Sequence, residues 1–238
     1  MYASITNRGL SARTALHVHR LMHRILRDAV RWNAVQRNVA DSVTPPKVRR
    51  PEMRVFTIEE LQRFLGSAPD DAIGSTFQLA VLTGLRRSEL AGLRWSDVNI
   101  DRSVLRVTQT LQRVTGHGLV IGEPKSAQSH RAVALGERAV KLLKSVKVRQ
   151  LEEQLASGDL YEESGYVFAD ALGAPIDPDR VSKVFRRTVA VAGVPKLGIH
   201  SLRHLHASLA LEQGVDMKTT SVRLGHSQIS VTADLYSH

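Results

Sequence analysis

Three prolines divide this chain into two parts that cannot share one helix. The segment SVTPPKVRRPEMRVF, residues 42–56, contains Pro45, Pro46 and Pro51. Proline lacks a backbone N–H and has a fixed φ angle, so it stops a helix and favours a stiff, extended segment. The pattern predicts a basic linker over residues 45–55, with one folded region before it (1–44) and another after it (56–238).

The chain is strongly basic for its size. It has 33 lysines and arginines against 23 acids, which gives a formal net charge of +10 at pH 7 over 238 residues. A domain this basic usually faces a polyanion, most often nucleic acid, although a charge that serves only solubility is the alternative. Hydrophobic residues make up 42% of the chain, enough to bury a core.

Several kinds of protein and site are excluded by what the sequence lacks. It contains no cysteine, which rules out disulfides, thiol catalysis and thiolate metal sites and fits a cytoplasmic protein. No stretch approaches the roughly 20 apolar residues of a membrane span, so no membrane partner is expected. The N-terminal residues also lack the apolar segment of a secretory signal.

Basic side chains recur at helical spacing before the linker. Residues 11–40 are predicted to form one helix opened by Ser11, with one apolar side: Val18, Leu21, Met22, Ile25 and Ala29. His17 falls on the opposite side together with four arginines, called the basic stripe below: Arg20, Arg24, Arg27 and Arg31. No acid was identified on this side, so contact with a phosphate backbone and a merely solvated face both remain open. The candidate DNA contacts are the basic stripe together with Lys47, Arg49 and Arg50 of the linker.

The region after the linker is predicted to be mainly α with a small antiparallel β-sheet, an α+β fold. Thr57 and Glu60 have the spacing of a capping box, and Gly84 suits the end of a helix over residues 72–83. β-Branched, alternating segments predict strands at 104–111 and 131–135. Helical spacing predicts further helices at 137–156, 178–192, 199–213, 216–224 and 228–238.

One short segment, GIHSLRHLHASLALEQG, contains three histidines and an arginine within seven positions. On a helix His206 joins the apolar side and is expected to be a satisfied core or edge histidine. His200, Arg203 and His204 share the other face. Two histidines four residues apart could hold zinc, but the permanent charge of Arg203 would repel a cation. The face therefore suits an anion with several oxygens, such as phosphate, and no metal site is expected.

Four sequence segments then carry a resemblance. TGLRRSEL, PKSAQSHRAVAL, HSLRHLHAS and LGHSQISVTADLYSH occur in this order. Together they resemble the catalytic domain of the tyrosine recombinases, the phage integrase family, over about residues 55–238. The arginine-rich helix with the proline linker resembles the end of that family's core-binding domain. His206 stands where a bulky apolar or aromatic residue would be expected, and this departure does not affect the chemistry.

The resemblance implies a catalytic set of six residues: Arg86, Lys125, His200, Arg203, His226 and Tyr236. Tyr236 would be the nucleophile, the two arginines would clamp the scissile phosphate, and Lys125 would protonate the leaving 5′ oxygen. Glu89 would hold the first arginine in place, and His204 would support the site.

The implied function is site-specific recombination, in which DNA strands are cleaved and rejoined through a 3′-phosphotyrosyl intermediate. Neither a metal nor ATP nor any other cofactor would be needed. A DNA-binding fragment of the same fold without activity, and a type IB topoisomerase, are the alternatives.

The implied partners follow from this function. They are double-stranded DNA attachment sites, a homotetramer on DNA for a full-length protein, and accessory DNA-bending proteins. Because the sequence stops two residues after Tyr236, a monomer is expected for this chain alone, with Tyr236 displaced from the arginines. The expected setting is the nucleoid of a prokaryotic cell, for a protein of prokaryotic or phage origin.

Overall fold

The computed structural model describes residues 2–48, 54–124 and 129–225, and the chain divides into two units, Met1–Glu52 and Met53–His238. The expectation of a mainly α fold with a small antiparallel β-sheet is confirmed as to class, and the described residues form two such sheets rather than one. No helix within the described ranges is long and apolar enough to cross a membrane.

The first unit contains two helices and one helical turn in its described part. Helix α1 spans Tyr2–Asn7, α2 spans Ala12–Arg31, and a 3-10 turn spans Val39–Ser42. The predicted helix over residues 11–40 begins correctly, because the Ser11 side chain accepts a hydrogen bond from the Thr14 N–H at 3.2 Å. Its predicted end is wrong: α2 stops at Arg31, and Asn33 adopts the left-handed backbone region with a φ of 56°.

The packed side of α2 is not the apolar side that the spacing suggested. Ala15 and His19 are the buried residues of this helix, whereas Leu21 and Ile25 are 59% and 50% exposed. The segment after Asn33 contributes to this packing, because Asn38 donates a hydrogen bond to the His23 carbonyl at 3.2 Å. The basic stripe is exposed along its length, as predicted for a face that meets solvent or phosphate.

The face that carries the basic stripe is not free of acids. Asp28 lies one turn before Arg31, and their charged groups are 3.7 Å apart. The structure also adds Arg13, which is exposed and has the same helical phase as Arg20 and Arg31.

The second unit is built around a cluster of phenylalanine rings. Phe64 packs against Phe56, Phe77 and Phe185, with ring centroids 4.9–5.5 Å apart. Its described helices are α3 (Ile58–Gly66), α4 (Ala72–Thr83), α5 (Arg87–Gly92), α6 (Glu137–Ser157), α7 (Pro178–Val191), α8 (His200–Glu212) and α9 (Met217–Leu224). The predicted capping box at Thr57 and Glu60 is confirmed.

Two small antiparallel sheets accompany these helices. Strands β1 (Val98–Asn99), β2 (Val104–Val107) and β5 (Arg131–Ala134) form one sheet in the order β1-β2-β5, and β3 (Thr110–Val114) pairs with β4 (Gly118–Gly122) in the other. The single strand predicted over residues 104–111 is therefore wrong. Between β2 and β3, Thr108 donates to Asp97 at 3.0 Å and Gln109 donates to the Gly92 carbonyl at 2.9 Å, and these contacts separate the two sheets.

Helix α4 positions the functional residues because it is buried on nearly all sides and ends beside α8. The predicted end at Gly84 is confirmed, and this glycine has a φ of 67°. A β-carbon at Gly84 would lie 2.6 Å from Leu224 Cδ2 and 2.7 Å from His206 Cδ2. Glycine is therefore needed both for the backbone conformation and for the close approach of α8 and α9.

We predict that Gly84→Ala destabilises the protein more than Gly214→Ala does. Both glycines have positive φ angles, but no described atom lies within 4 Å of a β-carbon built at Gly214. The left-handed conformation costs an alanine about 1–2 kcal/mol at either position. Overlap with packed side chains should add about 1–3 kcal/mol at Gly84 alone. Urea unfolding of both variants measures the difference, and equal losses would contradict the argument from close packing.

Candidate active site

Arg86 is placed by the turn that joins α4 to α5. It is the N-cap residue of α5, with an extended backbone. Glu89 lies in the first turn of that helix and accepts two hydrogen bonds from Arg86. The backbone N–H donates to Oε2 at 2.9 Å, and the side-chain Nη1 donates to Oε1 at 2.6 Å. One carboxylate thus satisfies a free N–H of the helix terminus and orients the arginine side chain.

Glu89 also holds a second arginine, Arg131 of β5. Arg131 donates Nη1 to Oε1 at 3.2 Å and Nη2 to Oε2 at 2.9 Å, and its side chain is only 5% exposed. Burial of the Glu89 carboxyl acts to raise its pKa. The hydrogen bonds and charges of Arg131 and Arg86 outweigh burial, so this pKa is below its usual value of 4.5. Glu89 is therefore an ionised, buried carboxylate between two guanidinium groups at neutral pH.

Sequence reasoning missed Arg131, although a signal for it was present. In the strand RAVA, Arg131 and Val133 lie on the same face because side chains alternate. Val133 is fully buried in the core. A buried arginine needs acceptors for its donors, often a carboxylate, and the structure shows that the carboxylate here is Glu89.

Arg203 lies deeper in the protein than its predicted place on an open face. It is 2% exposed, and it donates to the Gly84 carbonyl at 2.8 Å and to the Leu224 carbonyl at 2.5 Å. Burial and the nearby Arg86 lower its pKa to about 9, so the guanidinium is still charged at neutral pH. Its buried Nε has no hydrogen-bond acceptor among the described residues. Such a donor favours an added acceptor, because an unpaired buried group costs about 1–3 kcal/mol.

Three arginines donate to three consecutive carbonyl groups at the end of α9. The hydrogen bonds run from Arg131 Nε to the Arg223 oxygen at 2.6 Å, from Arg203 Nη2 to the Leu224 oxygen at 2.5 Å, and from Arg86 Nη2 to the Gly225 oxygen at 3.0 Å. The last carbonyls of a helix lack partners within the helix and carry partial negative charge, so cations stabilise them. These bonds fix the end of α9 relative to α5, α8 and β5.

The histidines of α8 occupy two environments. His200 is exposed at the start of the helix, and its ring meets the His204 ring edge to face with centroids 4.7 Å apart. Partial burial of the His200 imidazole, followed by the charges of His204 and Arg203, lowers its pKa to about 4. Burial and Arg203 also lower the pKa of His204. His200 is therefore neutral at pH 7 and able to accept a proton.

His206 only partly matches its predicted role as a satisfied histidine. Its Nδ1 lies 2.8 Å from the Val81 carbonyl, which ties α8 to α4. Its Nε2, however, is buried without a hydrogen-bond partner in the described part of the chain. Burial and Arg223 lower the pKa of His206 to about 4, so the ring is neutral.

The remaining candidate residues lie either outside the described residues or in the first unit. Lys125, His226, Tyr236, Arg49 and Arg50 lie outside the described residues. The basic stripe and Lys47 are exposed in the first unit. In the described ranges, no group of histidine, aspartate and glutamate side chains could hold a metal ion.

Comparison with known proteins identifies the family. The model of the phage integrase family matches residues 54–238, and the chain therefore belongs to this family. A tyrosine recombinase XerC-like protein of Caldanaerobacter subterraneus is 35% identical, over 82% of this chain and 53% of its own length. The ICEBs1 integrase of Bacillus subtilis is 28% identical, over 97% of this chain and 62% of its own length. This chain thus spans about half to three fifths of these relatives.

Solved structures show the same fold at lower identity. The Tn1549 transposon integrase in complex with transposon right end DNA has a TM-score of 0.83 at 23% identity, over 99% of this chain and 78% of that one. A lambda integrase dimer bound to a core site has a TM-score of 0.69 at 19% identity, over 98% of this chain and 76% of that one.

We predict that Glu89→Gln destabilises the protein by roughly 3–5 kcal/mol at pH 7, because it leaves buried guanidinium groups without their counter-charge. The exposed pair of Arg87 and Asp179 provides the control, since Asp179→Asn should cost about 0–1 kcal/mol.

The Glu89 effect should also depend on pH with a defined sign. The folded-state pKa of Glu89 is lowered, so its stabilisation is fully present above the unfolded value of 4.5 and is lost as pH falls through the folded value. Urea unfolding from pH 7 down to pH 3 should show the gap between wild type and Glu89→Gln narrowing below about pH 4.5. A gap that stays constant would mean that the carboxylate charge is not what stabilises this cluster.

Proposed function

We propose that this protein is a tyrosine recombinase that cleaves and rejoins DNA without a metal or ATP. The observation that supports this most is the pair Arg86 and Arg203 of a phage integrase family member. Both guanidinium groups donate to the end of α9, and Arg203 has a buried Nε–H with no acceptor in the described ranges. In-line attack on a phosphodiester increases charge on the non-bridging oxygens, which preorganised guanidinium donors stabilise.

In the proposed reaction, the Tyr236 oxygen forms a bond to phosphorus while the bond from phosphorus to the 5′ oxygen breaks. The 5′ oxygen takes its proton from Lys125, and the phenol proton goes to a base. His200 is the proposed base, since it lies three residues before Arg203 on α8 and is unprotonated at pH 7. The 3′-phosphotyrosyl product is close in energy to the bond that was broken. A second 5′-hydroxyl can therefore attack it and exchange the strands.

The proposed partners are DNA attachment sites. Related structures include a lambda integrase tetramer bound to a Holliday junction, and we propose a tetramer of the full-length protein on DNA. Residues 1–44 would act as part of a core-binding region, 45–55 as a linker and 56–238 as the catalytic domain. Accessory DNA-bending proteins could assist. Since the relatives are bacterial and phage proteins, the proposed setting is nucleoid DNA in the cytoplasm.

The proposed function predicts that Tyr236→Phe keeps DNA binding and loses covalent attachment, because only the attacking oxygen is removed. The measurement is a denaturing gel of protein with nicked suicide duplexes, built from repeated sequences that flank the gene, in the presence of EDTA. Tyr161→Phe is the matched control, since Tyr161 follows a 3-10 turn at Gly158–Leu160 and has no contact with Arg86 or Arg203 among those described. An adduct with Tyr236→Phe would refute the assignment, and relaxation of plasmids without site preference would favour the topoisomerase alternative.

The basic stripe should bind phosphates if the first unit contacts DNA. We predict that Arg24→Gln flattens the slope of log K against log[salt] by roughly one unit or less, because one phosphate contact fewer releases one counterion fewer. Lys144→Gln on α6 is the control, an exposed cation on an element that contributes nothing to the described site. Fluorescence titrations from 50 to 200 mM salt measure both slopes, and an unchanged slope for Arg24→Gln would leave the stripe as a solvated face.

A further inference from the structure

Arg131 has every hydrogen-bonding nitrogen of its side chain engaged by the protein itself. Nε donates to the Arg223 carbonyl, Nη1 to Glu89 and to the Ser129 carbonyl at 3.1 Å, and Nη2 to Glu89. With a side chain only 5% exposed, it has little surface to offer to DNA. Its contacts instead join β5 to α5 and to the last turn of α9.

A second arginine reinforces the link between β5 and α9 from the opposite direction. Arg223 at the end of α9 donates its Nη2 to the Ala134 carbonyl of β5 at 2.9 Å. The two elements are therefore joined by one arginine from each, with Arg131 donating to the backbone of α9 and Arg223 to the backbone of β5. Of the two, only Arg131 also reaches the carboxylate that holds Arg86.

We propose that Arg131 is a positioning residue for DNA cleavage, which fixes Glu89 and the end of α9 so that Arg86 is held in its working orientation. The role rests on the proposed recombinase function. Arg86 is anchored at two side-chain points, Glu89 Oε1 and the Gly225 carbonyl. Arg131 supports both of these acceptors, since it binds both oxygens of Glu89 and the carbonyl two residues before Gly225.

Loss of Arg131 should therefore disturb both anchors at once while leaving the DNA-facing cations in place. Glu89 would keep Arg86 as its remaining ion-pair partner and could rotate, because the bidentate pair that fixes both of its oxygens would be gone. The Arg223 carbonyl would lose its donor at 2.6 Å. Misplacement of a transition-state donor by about 1 Å can cost on the order of 10²-fold in rate.

The test separates cleavage from binding in single-turnover reactions of the full chain on suicide duplexes. We expect Arg131→Ala to slow adduct formation on the order of 10²-fold, with the DNA Kd changed by no more than about twofold. Arg131→Lys keeps the charge but not the bidentate geometry, so its rate should lie between those of wild type and Arg131→Ala.

Arg149→Ala is the matched control for the loss of a packed arginine. Arg149 pairs with Glu153 at 3.9 Å and donates to Ser75 at 3.2 Å, in α6 and α4. The Arg149→Ala variant should be less stable than wild type, but its cleavage rate should not fall more than its DNA affinity does. If Arg131→Ala does not fold, the comparison of Arg131→Lys with wild type decides the question.

The pH dependence of cleavage adds a signature that a purely structural role would not produce. Glu89 faces Arg86 and Arg131, and its negative charge also acts on the pKa values of Arg203 and His200. Arg131 lowers the pKa of Glu89. As the pH is lowered, cleavage should therefore fail at a higher pH in Arg131→Lys than in wild type, and at a higher pH still in Arg131→Ala. Arg149→Ala should keep the wild-type acid limb.

The outcomes are distinguishable. An inactive wild type on authentic sites would refute the proposed function together with this role. An active wild type, combined with equal losses of rate and affinity in the Arg131 variants or with an unshifted acid limb, would refute the positioning role alone. A loss in Arg149→Ala that matches the loss in Arg131→Ala would likewise assign the effect to stability.

Discussion

The site depends on one buried carboxylate that is outnumbered by cations. Glu89 is 2% exposed and balances only one of the three positive charges of Arg86, Arg131 and Arg203. The resulting repulsion contributes, after burial, to the lowered pKa of Arg203. Buried charge without a counter-charge is costly, and an entering phosphate would relieve that cost. Under the proposed function, the same imbalance of charge would favour a negatively charged transition state over a neutral ligand.

The end of α9 balances part of this charge. Carbonyl dipoles at a helix C-terminus carry partial negative charge, and those of Arg223, Leu224 and Gly225 each accept from one of the three arginines. A phosphate would compete with these carbonyls for the donors of Arg86 and Arg203, but not for those of Arg131, which face the protein. Under the proposed function, phosphate binding would therefore loosen two of the three contacts at the end of α9, and the contact of Arg131 would persist.

The parts of this fold that follow from local chemistry were predictable, and those that depend on packing were not. The Thr57 capping box and the end of α4 at Gly84 follow from backbone hydrogen bonding and from the freedom of glycine. The end of α2 is harder to predict because the left-handed position after its C-cap is held by Asn33, and asparagine marks a helix end less strongly than glycine does. The break between β2 and β3 depends on contacts of Thr108 and Gln109 with distant residues.

The same distinction applies to the site, where spacing identified the chemical groups but not their depth. Arg203 and His200 share one face of α8, yet the arginine is buried against the Gly84 and Leu224 carbonyls, whereas the histidine in the first turn keeps part of its surface exposed. Under the proposed function, this difference in burial suits two different requirements. With a pKa of about 9, the Arg203 guanidinium is still charged at neutral pH, so burial strengthens its field there without loss of the proton. An imidazole can act as a base only when it is neutral, and partial burial beside Arg203 keeps His200 neutral until a phosphate brings negative charge that favours proton uptake.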